Sequence, residues 1–255
     1  MTQKIIAVVN QKGGVGKTTT AINVAAQLAT SGSTVLLVDF DPQGNATSGL
    51  GIPKEQTLKT IYDVVCSKAT IADVIQKTNV AQLFVAPSNS NLAGAEVELV
   101  QLEQREFTLQ QSLKDATFDY IIIDCPPSLG LLTINALTAA TTVLIPVQSE
   151  YYALEGLSQL LSTIQAVRAS TNPNLDLLGI VLTMFDKRNS LSDQVLTEIR
   201  TYFGDKLFKT IVPRNVRLAE APSYGRTIFE HDRWSKGARA YKSLAKEIGN
   251  RLQTN

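Results

Sequence analysis

Residues 11–19 form a glycine-rich segment that contains two lysines and two threonines. They read Gln-Lys-Gly-Gly-Val-Gly-Lys-Thr-Thr, directly after a short apolar run and before a helical pattern. Glycines allow backbone N–H groups to converge on one point, and the first turn of a helix adds partial positive charge. This combination is typical of a loop that binds the phosphates of a nucleotide, and the alternative is a turn without a ligand. We expect Lys17 to contact the β- and γ-phosphates and the Thr18 hydroxyl to bind Mg²⁺.

Two acidic segments follow apolar runs further along the chain. Asp39 and Asp41 come after the first run, and Asp124 ends the run Ile-Ile-Ile at residues 121–123. Carboxylates at the C-terminal ends of parallel strands lie at the sheet edge where ligands bind. We therefore expect Asp41 to orient the attacking water or a water on Mg²⁺, Asp124 to bind Mg²⁺, and Asp39 to anchor its loop. The alternative is that the Asp-Pro and Pro-Pro pairs in these segments only form turns.

The elements that must position these groups are short apolar runs that alternate with longer helical patterns. Several of these runs, such as residues 5–9 and 120–123, are apolar throughout, as in strands that are buried on both faces. The runs cover residues 5–9, 35–38, 83–86, 120–123, 143–147, 178–182 and 207–211. Apolar residues spaced three and four apart predict helices over residues 18–30, 154–169 and 238–252. Together they predict an α/β fold with a doubly wound, mostly parallel sheet flanked by helices. No linker-like segment interrupts the chain, so we expect one domain over residues 1–255.

Composition removes several classes of protein. Hydrophobic residues make up 44% of the chain and charged residues 18%, which is typical of a globular protein. A single histidine, His231, argues against a histidine-rich metal site, and Cys66 and Cys125 have no metal-like spacing. No apolar run approaches the roughly 20 residues needed to span a bilayer, and the first residues do not resemble a secretion signal. We expect a cytoplasmic protein.

Charge is unevenly distributed along the chain. Residues 186–255 contain 14 Lys and Arg against 8 Asp and Glu, whereas residues 1–185 contain 10 against 15. The C-terminal part could therefore face a polyanion. The alternative is an ordinary solvated helical surface.

The glycine-rich loop differs from the common phosphate-binding pattern at two positions. Gln11 stands where the common pattern has glycine, and Lys12 adds a second lysine before the glycines. The variant K-G-G-x-G-K-[ST] resembles the loop of the deviant P-loop ATPases of the ParA/MinD superfamily. Residues 39–45 and 123–130 resemble two further ParA signatures, and residues 92–96, 150–157 and 213–218 resemble the chromosomal Soj-like branch.

This resemblance implies a P-loop NTPase fold and an ATPase that uses ATP and Mg²⁺. In such proteins ATP closes a homodimer, the dimer binds double-stranded DNA without sequence specificity, and a ParB-type partner stimulates otherwise weak hydrolysis. Such cycles segregate chromosomes or plasmids, so the resemblance places the protein on the nucleoid. It also implies that Lys12 reaches the partner's ATP.

The resemblance assigns roles to individual residues of this sequence. The catalytic residues are Lys12, Lys17 and Asp41, and the Mg²⁺ site comprises Thr18, Asp41 and Asp124. ATP is bound by Lys12, Gly13, Gly14, Val15, Gly16, Lys17, Thr18 and Thr19, with Met184, Pro213 and Asn215 at the adenine. DNA is contacted by Arg188 and Arg217, with Lys187 and Arg214 as helpers.

Three other functions share parts of this pattern. A MinD-like membrane-associated positioning ATPase would need a C-terminal amphipathic helix with bulky apolar residues, but residues 246–255 contain Gly249 and two such residues, Ile248 and Leu252. An iron–sulfur protein of the nitrogenase-iron-protein type would need a suitably spaced cysteine pair, which Cys66 and Cys125 do not provide. A small-molecule kinase or synthetase would need an acceptor-substrate motif, and none is evident.

Overall fold

A seven-stranded sheet forms the centre of the computed structural model, which describes residues 3–150 and 153–254. The strands are β1 (Lys4–Val8), β2 (Val35–Asp39), β3 (Gln76–Lys77), β4 (Leu83–Ala86), β5 (Tyr120–Asp124), β6 (Thr142–Gln148) and β7 (Asp176–Thr183). They lie in the order β3-β4-β2-β5-β1-β6-β7. Every neighbouring pair is parallel except β3 and β4, which are antiparallel.

Helices cover both faces of this sheet. They are α1 (Lys17–Thr30), α2 (Asn45–Gly49), α3 (Ile61–Val65), α4 (Ile71–Val74), α5 (Leu92–Leu99), α6 (Thr108–Leu113), α7 (Leu131–Ala139), α8 (Ala153–Ser170), α9 (Ser190–Phe203), α10 (Val216–Glu220), α11 (Ile228–Asp232) and α12 (Lys236–Thr254). In β1, Ile5 and Ala7 join one buried apolar cluster, whereas Ile6 and Val8 join the other. This two-sided burial explains why the strand sequences are apolar throughout. The predicted α/β architecture is confirmed, while a single domain over residues 1–255 stays a prediction.

The direction in which successive strands are added across the sheet reverses at β1, while the strands around it stay parallel. From β1 the chain runs to β2 and β4 on one side, and later to β6 and β7 on the other. Asp124 at the end of β5 is in register with Val8 of β1 and with Asp39 of β2. Ligands of open parallel sheets bind at such a switch point, beyond the carboxyl ends of the strands. The loops after β1, β2, β5 and β6 all open there.

The prediction of a strand over residues 207–211 is wrong. Within the described residues, this segment pairs with β7 through an isolated bridge at Leu207. The carboxylate of Glu247 on α12 accepts hydrogen bonds from Lys209 N at 2.9 Å and from Thr210 N at 3.1 Å. A helix side chain thus satisfies backbone groups that a neighbouring strand would otherwise bind. The apolar residues at its start, Leu207 and Phe208, are nevertheless buried in the core.

The three helices predicted from periodicity are present, with ends that differ by one or two residues. The prediction for residues 154–169 falls on α8, although the side chain of Leu154 lies outside the described part. The apolar stripe of α12 packs mainly against α1 and also contacts β7; it consists of Tyr241, Leu244, Ala245 and Ile248. Among the described residues, no helix combines the length and the apolar character needed to cross a membrane.

Candidate nucleotide site

The loop between β1 and α1 has the backbone conformation of a phosphate cradle. Gly14 and Gly16 have φ angles of 76° and 87°, a left-handed region that residues with a Cβ rarely adopt. A Cβ placed on Gly13 or Gly14 would meet no atom of the described chain within 4 Å. Gly16 caps α1 without a side-chain hydrogen bond. The N–H groups of the first helical turn can therefore point at an anion.

Lys17 is the buried cation of this loop. It is 6% exposed, and its Nζ donates a hydrogen bond to Lys12 O at 3.1 Å. Burial lowers the pKa of the Lys17 ammonium, and the charges of Asp124 and Asp41 act in the opposite direction. A cation with little solvent and nearby carboxylates is suited to bind the terminal phosphates of a nucleotide. The geometry thus agrees with the role expected for Lys17.

Lys12 lies in different surroundings although it belongs to the same loop. Its side chain is 45% exposed and forms an ion pair with Glu150. It faces a separate groove whose lining also includes Gln11, Gly156 and Gln159. The structure therefore brings Lys17 to the phosphate cradle but directs Lys12 away from it. Of the segment at residues 150–157 that contributed to the resemblance, Tyr151 and Tyr152 lie outside the described residues.

Two polar residues that sequence reasoning missed fix the position of the loop. Thr183 Oγ1 donates to Val15 O at 2.7 Å and joins the loop to the end of β7. Asn10 Nδ2 donates to Pro146 O at 2.7 Å, and Asn10 Oδ1 accepts from Lys12 N at 3.0 Å. Both residues stand at the C-terminal end of an apolar run. That position was the available signal for a role at this edge of the sheet.

Asp39 anchors the loop after β2, as the sequence predicted. Its fully buried carboxylate accepts hydrogen bonds from Thr47 N at 2.7 Å and Thr47 Oγ1 at 2.6 Å. Burial raises the pKa of Asp39 to about 6, although the bonds from Thr47 oppose this rise. The anchored loop carries Asp41, whose Oδ1 accepts from Gln43 N at 2.9 Å and whose main-chain O accepts from Ser88 Oγ at 2.8 Å.

Asp124 supplies the observation that tests whether Mg²⁺ fits this site. Its two carboxylate oxygens are buried, and neither has a hydrogen-bond partner of good geometry among the described residues. Burial, and then the charge of Asp39, hold the pKa of Asp124 well above its ordinary value, while Thr18 and Lys17 act in the opposite direction. An orphaned buried carboxylate near a threonine hydroxyl suits a hard cation.

The kind of cation follows from the number of protein ligands. Within the described residues, no group of three or more His, Cys, Asp or Glu could hold a metal ion. Mg²⁺ at nucleotide sites is held by one or two protein oxygens together with phosphates and waters. Thr18 and Asp124 fit that pattern. Cys125 is buried beside them, and burial raises the pKa of its thiol well above the ordinary value, so it remains protonated.

The three residues expected at the adenine lie together beside the loop. Met184, Pro213 and Asn215 line a cavity of about 340 Å³ that also borders Gly16 and Thr19. Its wall includes the side of Tyr241, which is 1% exposed. Mostly apolar walls with a few polar groups are typical of a site for a flat ring. The cavity and the cradle share Gly16, so one nucleotide could occupy both.

The four residues expected to contact DNA do not all lie in one place. A basic groove next to the adenine cavity is lined by Lys187, Arg188 and Arg214. Its lining also contains three cations that the sequence did not indicate, Lys209, Lys236 and Arg239. Arg217 lies outside that lining and pairs with Glu220 at 2.9 Å and Asp232 at 3.7 Å. The Arg188 guanidinium binds both oxygens of Asp186 and holds the pKa of that carboxyl at about 2.

Comparison with known proteins places this geometry among nucleotide-binding relatives. Residues 3–177 match a family model described as an AAA domain. The chain is 56% identical over 247 residues to the sporulation initiation inhibitor protein Soj of Bacillus subtilis, covering 96% of this chain and 98% of that protein. It is 48% identical over 252 residues to the chromosome partitioning protein ParA of Caulobacter vibrioides, covering 97% and 94%.

A solved structure with a bound nucleotide shares the fold. It is cobyrinic acid a,c-diamide synthase from Mycobacterium smegmatis with bound ATP analogue and magnesium. The TM-score is 0.87 at 37% sequence identity, and the alignment covers 99% of this chain and 96% of that one. A relative of this similarity therefore holds an ATP analogue and magnesium on the same fold.

Proposed function

Because this chain belongs to the Soj/ParA family of chromosome-partitioning ATPases, we propose that it is an ATP-dependent dimerising switch that binds DNA without sequence specificity. As a member of this family it is an ATPase that uses ATP and Mg²⁺ and acts in partitioning. The dimerisation, the DNA binding and the stimulation by a ParB-type partner are our proposal. The observation that carries this proposal is the contrast between two lysines of one loop: Lys17 is buried, whereas Lys12 is exposed.

In this proposal, Lys17 binds the nucleotide of its own subunit and Lys12 binds the nucleotide of the partner subunit. Lys17 is buried at the cradle of its own subunit, whereas the exposed Lys12 side chain faces outward. A cation between two bound nucleotides would neutralise phosphate charge from both sides and make ATP part of the dimer contact. ADP lacks the terminal phosphate, so hydrolysis would weaken that contact. This difference between ATP and ADP is what makes the dimer a switch.

Replacing Lys12 with alanine is expected to weaken ATP-dependent dimerisation by at least about thirty-fold, because a charged group at an interface is lost. Nucleotide binding by the monomer should change little, since Lys17 remains. Sedimentation of the protein with a non-hydrolysable ATP analogue measures the dimer fraction. Lys77→Ala, which removes an exposed lysine from the edge strand β3, is the matched control. Unchanged dimerisation of the Lys12 variant would rule out the proposed trans contact.

Hydrolysis requires a positioned water and a neutralised phosphate. Mg²⁺, when bound, neutralises charge on the phosphate oxygens. We propose that the Thr18 hydroxyl and the Asp124 carboxylate hold it, and that Asp41 orients the attacking water or a water on the ion. Asp39 contributes by fixing the loop that carries Asp41. The ParB-type partner would act on this arrangement to accelerate hydrolysis.

The basic groove supports DNA as the polyanion that this protein binds. The groove and the adenine cavity share Pro213, Arg214 and Val216, so a bound nucleotide would lie directly beside the groove. Surface arginines and lysines bind DNA through phosphates and release counterions, so the affinity falls steeply with salt. We propose that Arg188, Lys187 and Arg214 contribute from the groove and that Arg217 contributes from beside it. Binding of this kind would place the protein on the nucleoid.

Reversing the charge at Arg188 and Arg217 together is expected to abolish DNA retention at moderate salt, because two phosphate contacts are replaced by repulsion. Any remaining binding should show a salt dependence that is lower by about one unit of logarithmic slope per lost contact. Dimerisation with the ATP analogue should be retained. Filter binding or fluorescence anisotropy with duplex DNA at several salt concentrations measures both effects.

A double variant at the opposite edge of the sheet provides the control for net charge. Arg168 lies at the end of α8 and Lys114 follows α6, and both side chains are exposed. Each helix precedes a parallel strand, so these two residues lie at the edge away from the nucleotide site. Arg168→Glu with Lys114→Glu changes the net charge by the same amount and should leave DNA binding largely intact. Equal losses in both double variants would show a general charge effect and contradict the proposed DNA face.

The structure also bears on the membrane-associated alternative. In the described part of α12, Ile248 is buried and Leu252 packs against the core, so these side chains are committed to the fold. A MinD-like helix would instead need its apolar face available to lipid. The small-molecule synthetase alternative is also less favoured, because the relative named as a synthase is 37% identical and Soj is 56% identical. Both observations favour a partitioning ATPase over these two alternatives.

Retention of duplex DNA by the wild-type protein, with ATP, with ADP and without nucleotide, is the experiment that tests the proposal as a whole. We expect strong, salt-sensitive retention of DNA with ATP, and little or no retention with ADP or without nucleotide. Binding to anionic vesicles without DNA retention would support the membrane-associated alternative. Nucleotide-independent DNA binding, or none under any condition, would contradict the switch.

A further inference from the structure

We propose that Glu150 is a positioning residue that holds Lys12 in its own subunit and thereby sets how much ATP is needed before two copies dimerise. The proposal rests on the trans contact of Lys12 proposed above. Its evidence is the ion pair between Lys12 Nζ and a carboxylate oxygen of Glu150. Lys12 follows β1 and Glu150 follows β6, and these strands are parallel neighbours. The two side chains therefore leave the sheet at the same edge.

The backbone around Lys12 is fixed in a way that favours this pair. Lys12 N donates to Asn10 Oδ1 at 3.0 Å, and Asn10 is bound in turn to Pro146 of β6. On the other side, Gln11 Nε2 donates to Gly156 O at 3.0 Å. An ordinary surface ion pair gains little because two long side chains must be ordered. Here the side chains of Asn10 and Gln11 tie the loop to β6 and α8, so the Lys12 backbone has less freedom to lose when the pair forms.

Nucleotide binding would act on this pair through Lys17. Lys17 Nζ donates to the main-chain O of Lys12, so the two lysines share one segment of backbone. Phosphates in the cradle compete with Lys12 O for the Lys17 ammonium, so nucleotide binding loosens one of the bonds that hold this segment. In a dimer, the partner's phosphates offer Lys12 a second anion. Glu150 in the same subunit and the partner's nucleotide would then compete for one cation.

Competition of this kind has a definite consequence for dimerisation. A contact that favours only the monomer reduces the fraction of Lys12 available to the partner in each subunit. Because both subunits must release Lys12, the apparent association constant of the dimer falls by the square of that fraction. Both side chains of the pair are 45% exposed, so the effect should be that of a partly solvated ion pair. Removing the Glu150 charge is expected to lower the nucleotide concentration for half-maximal dimerisation by about two- to five-fold.

The experiment compares four proteins by sedimentation with increasing concentrations of a non-hydrolysable ATP analogue. They are the wild type, Glu150→Gln, Lys12→Ala and the double variant. We expect Glu150→Gln to dimerise at lower analogue concentration, and we expect no further effect of Glu150→Gln once Lys12 is alanine. A role of Glu150 in folding alone would not depend on Lys12 in this way. Glu150→Asp, which keeps the charge on a shorter side chain, should lie between the wild type and Glu150→Gln.

The outcomes separate this inference from the function on which it rests. If the wild type does not dimerise with the analogue, the proposed switch fails and Glu150 has nothing to control. If the wild type dimerises but Glu150→Gln needs the same or a higher concentration, Glu150 does not restrain Lys12 and the inference is overturned. An equal shift in the presence and absence of Lys12 would likewise overturn it, because Glu150 would then act through another group.

Discussion

Lys17→Ala is expected to weaken ATP binding by about 10- to 100-fold and to remove measurable hydrolysis, since a charge-assisted bond to the terminal phosphates is lost. The loss is larger than for a surface lysine because Lys17 is 6% exposed, where charges are poorly screened. Without it, the carboxylates of Asp41 and Asp124 would face the phosphates with less compensation. Titration with a fluorescent ATP analogue measures the affinity.

The same substitution at the other end of β1 is the control for Lys17→Ala. Lys4 lies over the ring of Tyr120, 5.3 Å from its centre, and away from the phosphate cradle. Lys4→Ala should therefore leave nucleotide affinity unchanged. Thermal unfolding of both variants checks that the fold is kept. An affinity of Lys17→Ala close to that of the wild type would show that another group neutralises the phosphates.

The parts of the site that could be predicted are those whose signals are contiguous in sequence. The glycine-rich loop, the Asp39–Asp41 segment and Asp124 each directly follow an apolar run. Because the carboxyl ends of parallel strands share one edge, three separate runs were enough to bring these groups together. The burial of both sheet faces was readable for the same reason, since alternate residues of β1 join different apolar clusters.

The parts that could not be predicted depend on contacts between distant segments. The ion pair of Lys12 and Glu150 joins residues 138 positions apart, and nothing near either residue indicates it. The basic groove combines the segment at 186–188 with Lys209 and the start of α12. The strand predicted at residues 207–211 failed because Glu247 supplies the hydrogen bonds of a missing neighbour. Each outcome was decided by tertiary contacts rather than by local pattern.

Asp41→Ala is expected to keep ATP binding and ATP-dependent dimerisation but to slow hydrolysis by about 10²- to 10⁴-fold, as for loss of a group that positions the reacting water. Asp41 is 6% exposed, and its main chain is held by Ser88 Oγ at 2.8 Å. The neighbouring Asp39 anchors the loop through Thr47. These contacts do not involve the Asp41 carboxylate, so the loop should keep its place when that group is removed. Phosphate release with DNA present measures the rate.

Asp41→Asn separates the carboxylate's charge from its structural bond. The Asp41 carboxylate accepts from Gln43 N at 2.9 Å through Oδ1, and an asparagine carbonyl can accept the same bond. If the charge positions the water or a water on Mg²⁺, both variants should be slow in hydrolysis and should hold DNA for longer with ATP. If Asp41→Asn hydrolyses ATP at the wild-type rate, the carboxylate charge is not needed and the bond to Gln43 accounts for the effect. Normal hydrolysis by Asp41→Ala would exclude the proposed role of Asp41 altogether, because the reaction would then proceed at its usual rate without the Asp41 carboxylate. The DNA-bound dimer would also keep its usual lifetime.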